Sequence, residues 1–271
     1  MDARYGVART AALRRTETMS EDLAAMREQV YVDPRPAEHF DRFHARTRRR
    51  DPDWVYEVVR ILTCLYAWTA FRLRSIAAEK VPSRGAVIIA PNHFSFMDHF
   101  FVGAGVRRRV SFMAKSQLFK PPLDWIYTHG GVFPVRRGRQ DREAFVTAHR
   151  ILDRGGAIVM YCEGGRSRTA RLSERARPGI GRLALESGVT VVPVAIHGSA
   201  HARNWRRLRF PKVTVHFGDP LRWDQIEAPT RDQQQHVADE IFDEIKTLYG
   251  ALEDKGRAEV ARGLRRSTQA A

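Results

Sequence analysis

Apolar positions in this chain fall in short runs separated by longer amphipathic stretches. Six runs read as strands: Ala86–Ala90, Val110–Met113, Gly131–Val135, Ala157–Met160, Val191–Ile196 and Lys212–Phe217. Short, mostly apolar runs bounded by Gly, Pro or charge are the mark of strands buried on both faces. Between them Met97–Val106, Pro122–Thr128, Asp141–Arg154, Gly179–Ser187 and Gln233–Leu248 read as helices. This alternation predicts an α/β fold with a mixed, mostly parallel sheet and crossover helices. The run Gly179-Ile180-Gly181-Arg182-Leu183-Ala184 matches a dinucleotide fingerprint, but no strand precedes it, so it reads as a helix start.

The flanks differ in character. Residues 1–50 are polar and charged and predict a flexible leader with one helix near Met19–Val30 and no signal-like apolar run. Residues 51–78 form an apolar, aromatic segment. Only eleven residues separate Arg60 from Arg72, fewer than the roughly 20 needed to span a bilayer. Trp54–Ile76 therefore predicts an amphipathic helix lying in a membrane interface, with packing on the domain core as the competing reading. Residues 79–250 carry the domain proper, and 251–271 form a polar, basic tail read as mobile.

Charge sharpens the picture. From Phe101 to Val215 there are 22 Lys and Arg against 7 acids, which accounts for the whole net charge of +15. A core this basic calls for an anionic partner. No zinc-finger spacing, RRM-like aromatics or helix-turn-helix point to nucleic acid. Two cysteines, Cys64 and Cys162, fit a reducing compartment. No metal site is expected: His197 and His201 are four apart but lack the glutamate of a zinc helix.

The candidate chemistry begins at Asn92-His93-Phe94-Ser95-Phe96-Met97-Asp98. A carboxylate bonded to one imidazole nitrogen fixes the tautomer and lets the other nitrogen take a proton from a hydroxyl. Five residues turn a helix by about 500°, so the two side chains meet only if His93 sits in the loop before a helix and Asp98 lies within its first turns. Three further blocks follow in order: Gly130-Gly131-Val132-Phe133-Pro134-Val135-Arg136, Tyr161-Cys162-Glu163-Gly164-Gly165-Arg166-Ser167, and Val191-Val192-Pro193-Val194-Ala195-Ile196.

Together these resemble the glycerolipid acyltransferases, the lysophosphatidic acid acyltransferase-like enzymes, across roughly Glu79 to Trp223. Lys115 also resembles a lysine common between the first two blocks. Two blocks depart from the family pattern. Tyr161-Cys162 replaces Phe-Pro and Gly165 replaces a frequent Thr, while Pro134-Val135 replaces a commoner Ile-Asp. Glu163 and Arg166 are intact, so altered packing is expected rather than lost chemistry.

The resemblance implies direct transfer of an acyl group from acyl-CoA or acyl carrier protein to 1-acyl-glycerol-3-phosphate, with no cofactor. His93 is the expected base and Asp98 its orienting partner. Arg136 and Arg166 are the expected phosphate forks, with Glu163 and Lys115 assisting. The N–H groups of Gly164 and Gly165 are oxyanion candidates, with a tight turn as the equal alternative. Asn92, Ser167 and Pro193 are read as supporting the motif. The expected site of action is the cytoplasmic membrane face, as a peripheral or monotopic protein on anionic lipid. A different lysolipid or glycerol-3-phosphate acceptor, a thioester or lipid hydrolase, and a non-catalytic binder of anionic membranes stay open as alternatives.

Overall fold

Seven strands build one sheet in this computed structural model, which describes residues 32–137 and 141–270. They are β1 (Arg74–Ile76), β2 (Val87–Pro91), β3 (Ser111–Lys115), β4 (Val132–Val135), β5 (Ala157–Val159), β6 (Thr190–His197) and β7 (Thr214–Phe217). Their spatial order is β1-β7-β6-β2-β5-β3-β4. All neighbours pair in parallel except β6 with β7. Every residue of β2 is buried, as a parallel strand covered on both faces requires.

Among the described residues seven α-helices accompany the sheet: α1 (Asp41–Arg49), α2 (Trp54–Thr69), α3 (Asp98–Gly105), α4 (Leu123–His129), α5 (Arg142–Asp153), α6 (Gly179–Ser187) and α7 (Arg231–Ala270). On one face Phe71, Phe101, Phe112 and Val159 share a core with α2 and α3. On the other, Ile88 and Ile158 pack with Ile151, Leu183 and Phe242 from α5, α6 and α7. Gly181 lies where a Cβ would stand 1.9 Å from the Gln234 carbonyl oxygen. The glycines of the dinucleotide-like run therefore include one that lets α6 and α7 touch backbone to backbone.

The mixed, mostly parallel α/β fold is as the pattern predicts, and the six expected strands lie within two residues of their observed limits. Other expectations need correction. The helix read over Trp54–Ile76 ends at Thr69; Arg72 has a left-handed backbone (φ 45°) and the next residues form edge strand β1. The leader is not flexible in its second half. Phe40 and Phe43 are buried against Phe119, and Arg35 pairs with buried Asp33 while donating to the Ser116 and Phe119 carbonyls. The expected helix at Met19–Val30 lies outside the described residues. The basic tail is helical as far as Ala270, broken at Gly256, and buries Leu252, Val260 and Ala261 against Ile76 and Ala195.

Candidate active site

The carboxyl ends of β2, β3, β4 and β5 meet on one edge of the sheet, the usual place for a ligand site in such folds. Asn92 and His93 follow β2, Lys115 ends β3, Arg136 and Arg137 follow β4, and Glu163 follows β5. His93 sits in the loop and Asp98 opens α3. Asp98 Oδ2 accepts from His93 Nδ1 at 2.8 Å, from the Phe94 N–H at 2.7 Å and from the Ser95 N–H at 2.8 Å. A carboxylate only accepts, so Nδ1 carries the proton and Nε2 holds the lone pair. The loop thus wraps one carboxylate at the positive end of a helix, which favours its charge. Burial pulls His93 below the ordinary imidazole range, against the upward pull of Asp98, and keeps it neutral as a base must be.

The third block grips the backbone of His93 from both sides. Glu163 Oε2 accepts the His93 N–H at 2.8 Å, and the Ser167 N–H donates to the His93 carbonyl at 2.9 Å. The other oxygen, Oε1, accepts from the Ser173 N–H and hydroxyl. Glu163 is therefore committed to backbone, where the sequence reading set it toward substrate phosphate. Burial raises its pKa while those hydrogen bonds hold it down. Asn92 is bonded in both directions to Ile196 in β6, and Pro193 is buried in β6 opposite Ala90. Both are structural.

Tyr161 stacks on the His93 ring, with centroids 3.9 Å apart and planes 23° from parallel. Its hydroxyl is buried without a hydrogen-bond partner, as is Asp98 Oδ1. His99 stands edge-on to His93, with centroids 5.3 Å apart, and burial pushes it down to about 4. From His99 an apolar cavity of about 170 Å³ runs between α2, α3, α4 and β3, lined by Val59, Thr63, Phe100, Gly103, Phe112 and Ile126.

The basic side chains divide. Arg166 and Arg137 both bear electrostatically on His93 and on Lys115, whose pKa burial and these two charges depress. Arg136 turns elsewhere: its guanidinium donates to the Arg35 carbonyl and its N–H to Asp141. The charge that reaches His93 and Lys115 from the end of β4 is that of the next residue, Arg137. Gly164 is left-handed (φ 65°) and its N–H closes a turn onto the Tyr161 carbonyl, so it is spent on the turn. Ser167 directs its hydroxyl to the Arg171 carbonyl.

Arg203 was missed altogether. It donates to the Phe94 carbonyl through Nε at 2.8 Å and Nη2 at 2.6 Å, and also to the carbonyls of Ser167 and Arg168. It ties the His93 loop to the third block from outside all four motifs. No spacing announces it. The stacking role of Tyr161 had one visible signal, an aromatic two residues before Glu163.

A family model described as Acyltransferase matches residues 72–197. A glycerol-3-phosphate acyltransferase of Ectopseudomonas mendocina is 24% identical over 233 residues, covering 68% of this chain and 27% of that protein. One from Pseudomonas aeruginosa is 23% identical over 222 residues, covering 64% and 26%. The chain thus spans about a quarter of the length of the curated relatives it matches. The crystal structure of the 1-acyl-sn-glycerophosphate (LPA) acyltransferase PlsC from Thermotoga maritima superposes with a TM-score of 0.54 at 21% identity, covering 78% of this chain and 88% of that one. Four blocks in order, gathered on one sheet edge around a buried His–Asp pair, all lie within the matched segment, so residues 72–197 carry an Acyltransferase domain.

Proposed function

We propose that the chain transfers a fatty acyl group from acyl-CoA or acyl carrier protein to the free hydroxyl of 1-acyl-glycerol-3-phosphate, giving phosphatidic acid at the cytoplasmic face of an anionic membrane. The observation that carries this is the bonding of His93: Nδ1 is committed to Asp98 and Nε2 alone can take a proton. Nε2 accepts the proton of the acceptor hydroxyl as its oxygen attacks the thioester carbonyl. The C–S bond then breaks, and the leaving thiolate recovers the proton from His93. Asp98 stabilises the imidazolium between these steps. The one cysteine beside the site, Cys162, is buried with its thiol pushed up in pKa, which favours direct transfer over an acyl-enzyme.

Arg166 and Arg137, with Lys115 beside them, are assigned to the acceptor phosphate, and the Gly165 N–H to the oxyanion. The apolar cavity beside His99 suits an acyl chain. Ile61, Leu62, Leu65 and Trp68 of α2 face solvent, as do Leu123 and Trp125 of α4. No described helix is long and apolar enough to cross a membrane. An amphipathic face of this kind, beside a basic site, suits a protein lying on the surface of an anionic bilayer.

One second reading has support: the curated relatives are named glycerol-3-phosphate acyltransferases, so that alcohol is the competing acceptor. Thiol release from long-chain acyl-CoA, measured with lysophosphatidate, with glycerol-3-phosphate and with neither, in wild type and H93A, separates the cases. Release that requires lysophosphatidate, yields phosphatidate and vanishes in H93A is expected. Release without an acceptor that still needs His93 overturns transfer in favour of hydrolysis.

A further inference from the structure

The segment that follows β6 runs through 3-10 turns over Ser199–Arg207 and on to Pro211, outside all four blocks. Its inner side is built in: Ala200, Ala202 and Asn204 are buried, and Arg203 holds the carbonyls of the catalytic loops. Its tip is not. Leu208 is 80% exposed, more than any other large apolar side chain among the described residues, and its backbone is left-handed at φ 55°. A bulky residue rarely adopts that conformation, and folding gains nothing from a leucine left in water. Exposed Arg207 and Arg209 flank it. An observed backbone outlier of this kind calls for a functional account.

The position of the tip suggests one. Phe210 packs edge-on against Tyr66 and Phe71, with centroids 6.2 and 5.4 Å away, and Arg72 donates to its carbonyl. Leu208 therefore stands beside the end of α2, whose Ile61, Leu62, Leu65 and Trp68 face solvent. We propose that Arg207-Leu208-Arg209 is a second lipid contact. Leu208 enters the acyl boundary of an anionic bilayer, and the two guanidinium groups take headgroup phosphates on either side. Charge complementarity selects anionic lipid, since the stretch carrying this tip holds the whole excess of positive charge. The inference rests on the reading of the chain as a membrane-surface acyltransferase. It adds that membrane contact bears on the same segment whose Arg203 braces the His93 loop.

The test is sedimentation of the full chain with phosphatidylcholine vesicles, with and without phosphatidylglycerol, at low and high salt. L208S is expected to bind phosphatidylglycerol vesicles about tenfold more weakly. The R207Q/R209Q pair is expected to lose the preference for phosphatidylglycerol and most of the salt dependence. Both variants keep wild-type thiol release with monomeric short-chain substrates and no vesicles. Unchanged partition of both, while L65S in α2 loses binding, overturns the tip as a contact. A loss of rate by L208S on monomeric substrates overturns it too, by assigning Leu208 to the active-site fold. If wild type binds neither vesicle, this inference and the membrane part of the functional reading fail together; thiol release in detergent then judges acyl transfer by itself.

Discussion

Replacing Glu163 with Gln tests whether this carboxylate holds the base or the substrate. An amide has one accepting oxygen and one donating nitrogen. In the protein both carboxylate oxygens face backbone donors, the His93 N–H at 2.8 Å and the Ser173 N–H at 3.0 Å. Whichever way the amide turns, its nitrogen meets an N–H that it cannot accept. One hydrogen bond to a charged group is lost, worth about 1.5–3 kcal/mol, and the other weakens. The site is buried, so water does not repair the loss. Destabilisation of about 2 kcal/mol lowers the melting midpoint of a chain this size by about 4–8 °C. The loosened His93 loop lowers kcat about tenfold to a hundredfold, the scale of misplacement by about an ångström, with KM for the acceptor nearly unchanged. Glu163→Asp keeps the charge but shortens the reach, and is expected to fall with the Gln variant. Calorimetry and thiol release check this. An unchanged melting midpoint with a raised acceptor KM would refute the brace and return Glu163 to the substrate.

Three other outcomes follow from the same geometry. Tyr161→Phe removes a buried hydroxyl that has no partner and is expected to raise stability by about 1 kcal/mol with kcat nearly unchanged, whereas Tyr161→Leu removes the stack on His93 and lowers kcat; urea midpoints and initial rates decide. His99 is depressed from 6.5 to about 4, so between those values the unfolded chain binds the proton first and stability falls as pH falls. Its share is about 2 kcal/mol between pH 7.5 and 5, and urea unfolding of His99→Phe at both pH values should show that much less acid sensitivity. Arg137→Ala is expected to raise KM for the phosphorylated acceptor about tenfold or more, while Arg136→Ala, which loses a bond to the Arg35 carbonyl, lowers the melting midpoint and leaves KM in place. The reverse pattern would return the phosphate to Arg136.

The parallel strands were legible because burial on both faces leaves uninterrupted apolar runs that charge cannot enter. Strand β1 was not, since Arg74-Ser75-Ile76 is three residues long and joins only the sheet edge. Helix α1 was hidden because its charged sequence carries one large buried apolar side chain, Phe43, whose partner Phe119 is remote in sequence. The C-terminal helix was read over Gln233–Leu248, and its continuation to Ala270 hid for the same reason, with Leu252, Val260 and Ala261 scattered among charges. At the site, residue identities were readable and their partners were not. Glu163 pairs with backbone N–H groups, which no sequence position advertises, and Arg136 and Arg137 differ only in which way adjacent side chains leave the end of β4.

The two carboxylates of the site divide a task that one could not perform. Asp98 fixes the imidazole by its ring nitrogen, and Glu163 fixes the same residue by its peptide nitrogen, 2.8 Å away in each case. With the His93 carbonyl held by Ser167 and the ring faced by Tyr161, the side chain and the main chain are restrained independently. Rotation of the imidazole would break the Asp98 bond, and drift of the loop would break the Glu163 bond. On the proposed mechanism, such doubled restraint places the base to the accuracy that proton transfer in the transition state requires. On the proposed reading it also separates chemistry from selectivity. The restraining groups touch His93, whereas the arginines and the apolar cavity lie around it, so that reading expects acceptor and chain preference to change at Arg137, Arg166 or Gly103 while the base stays in place.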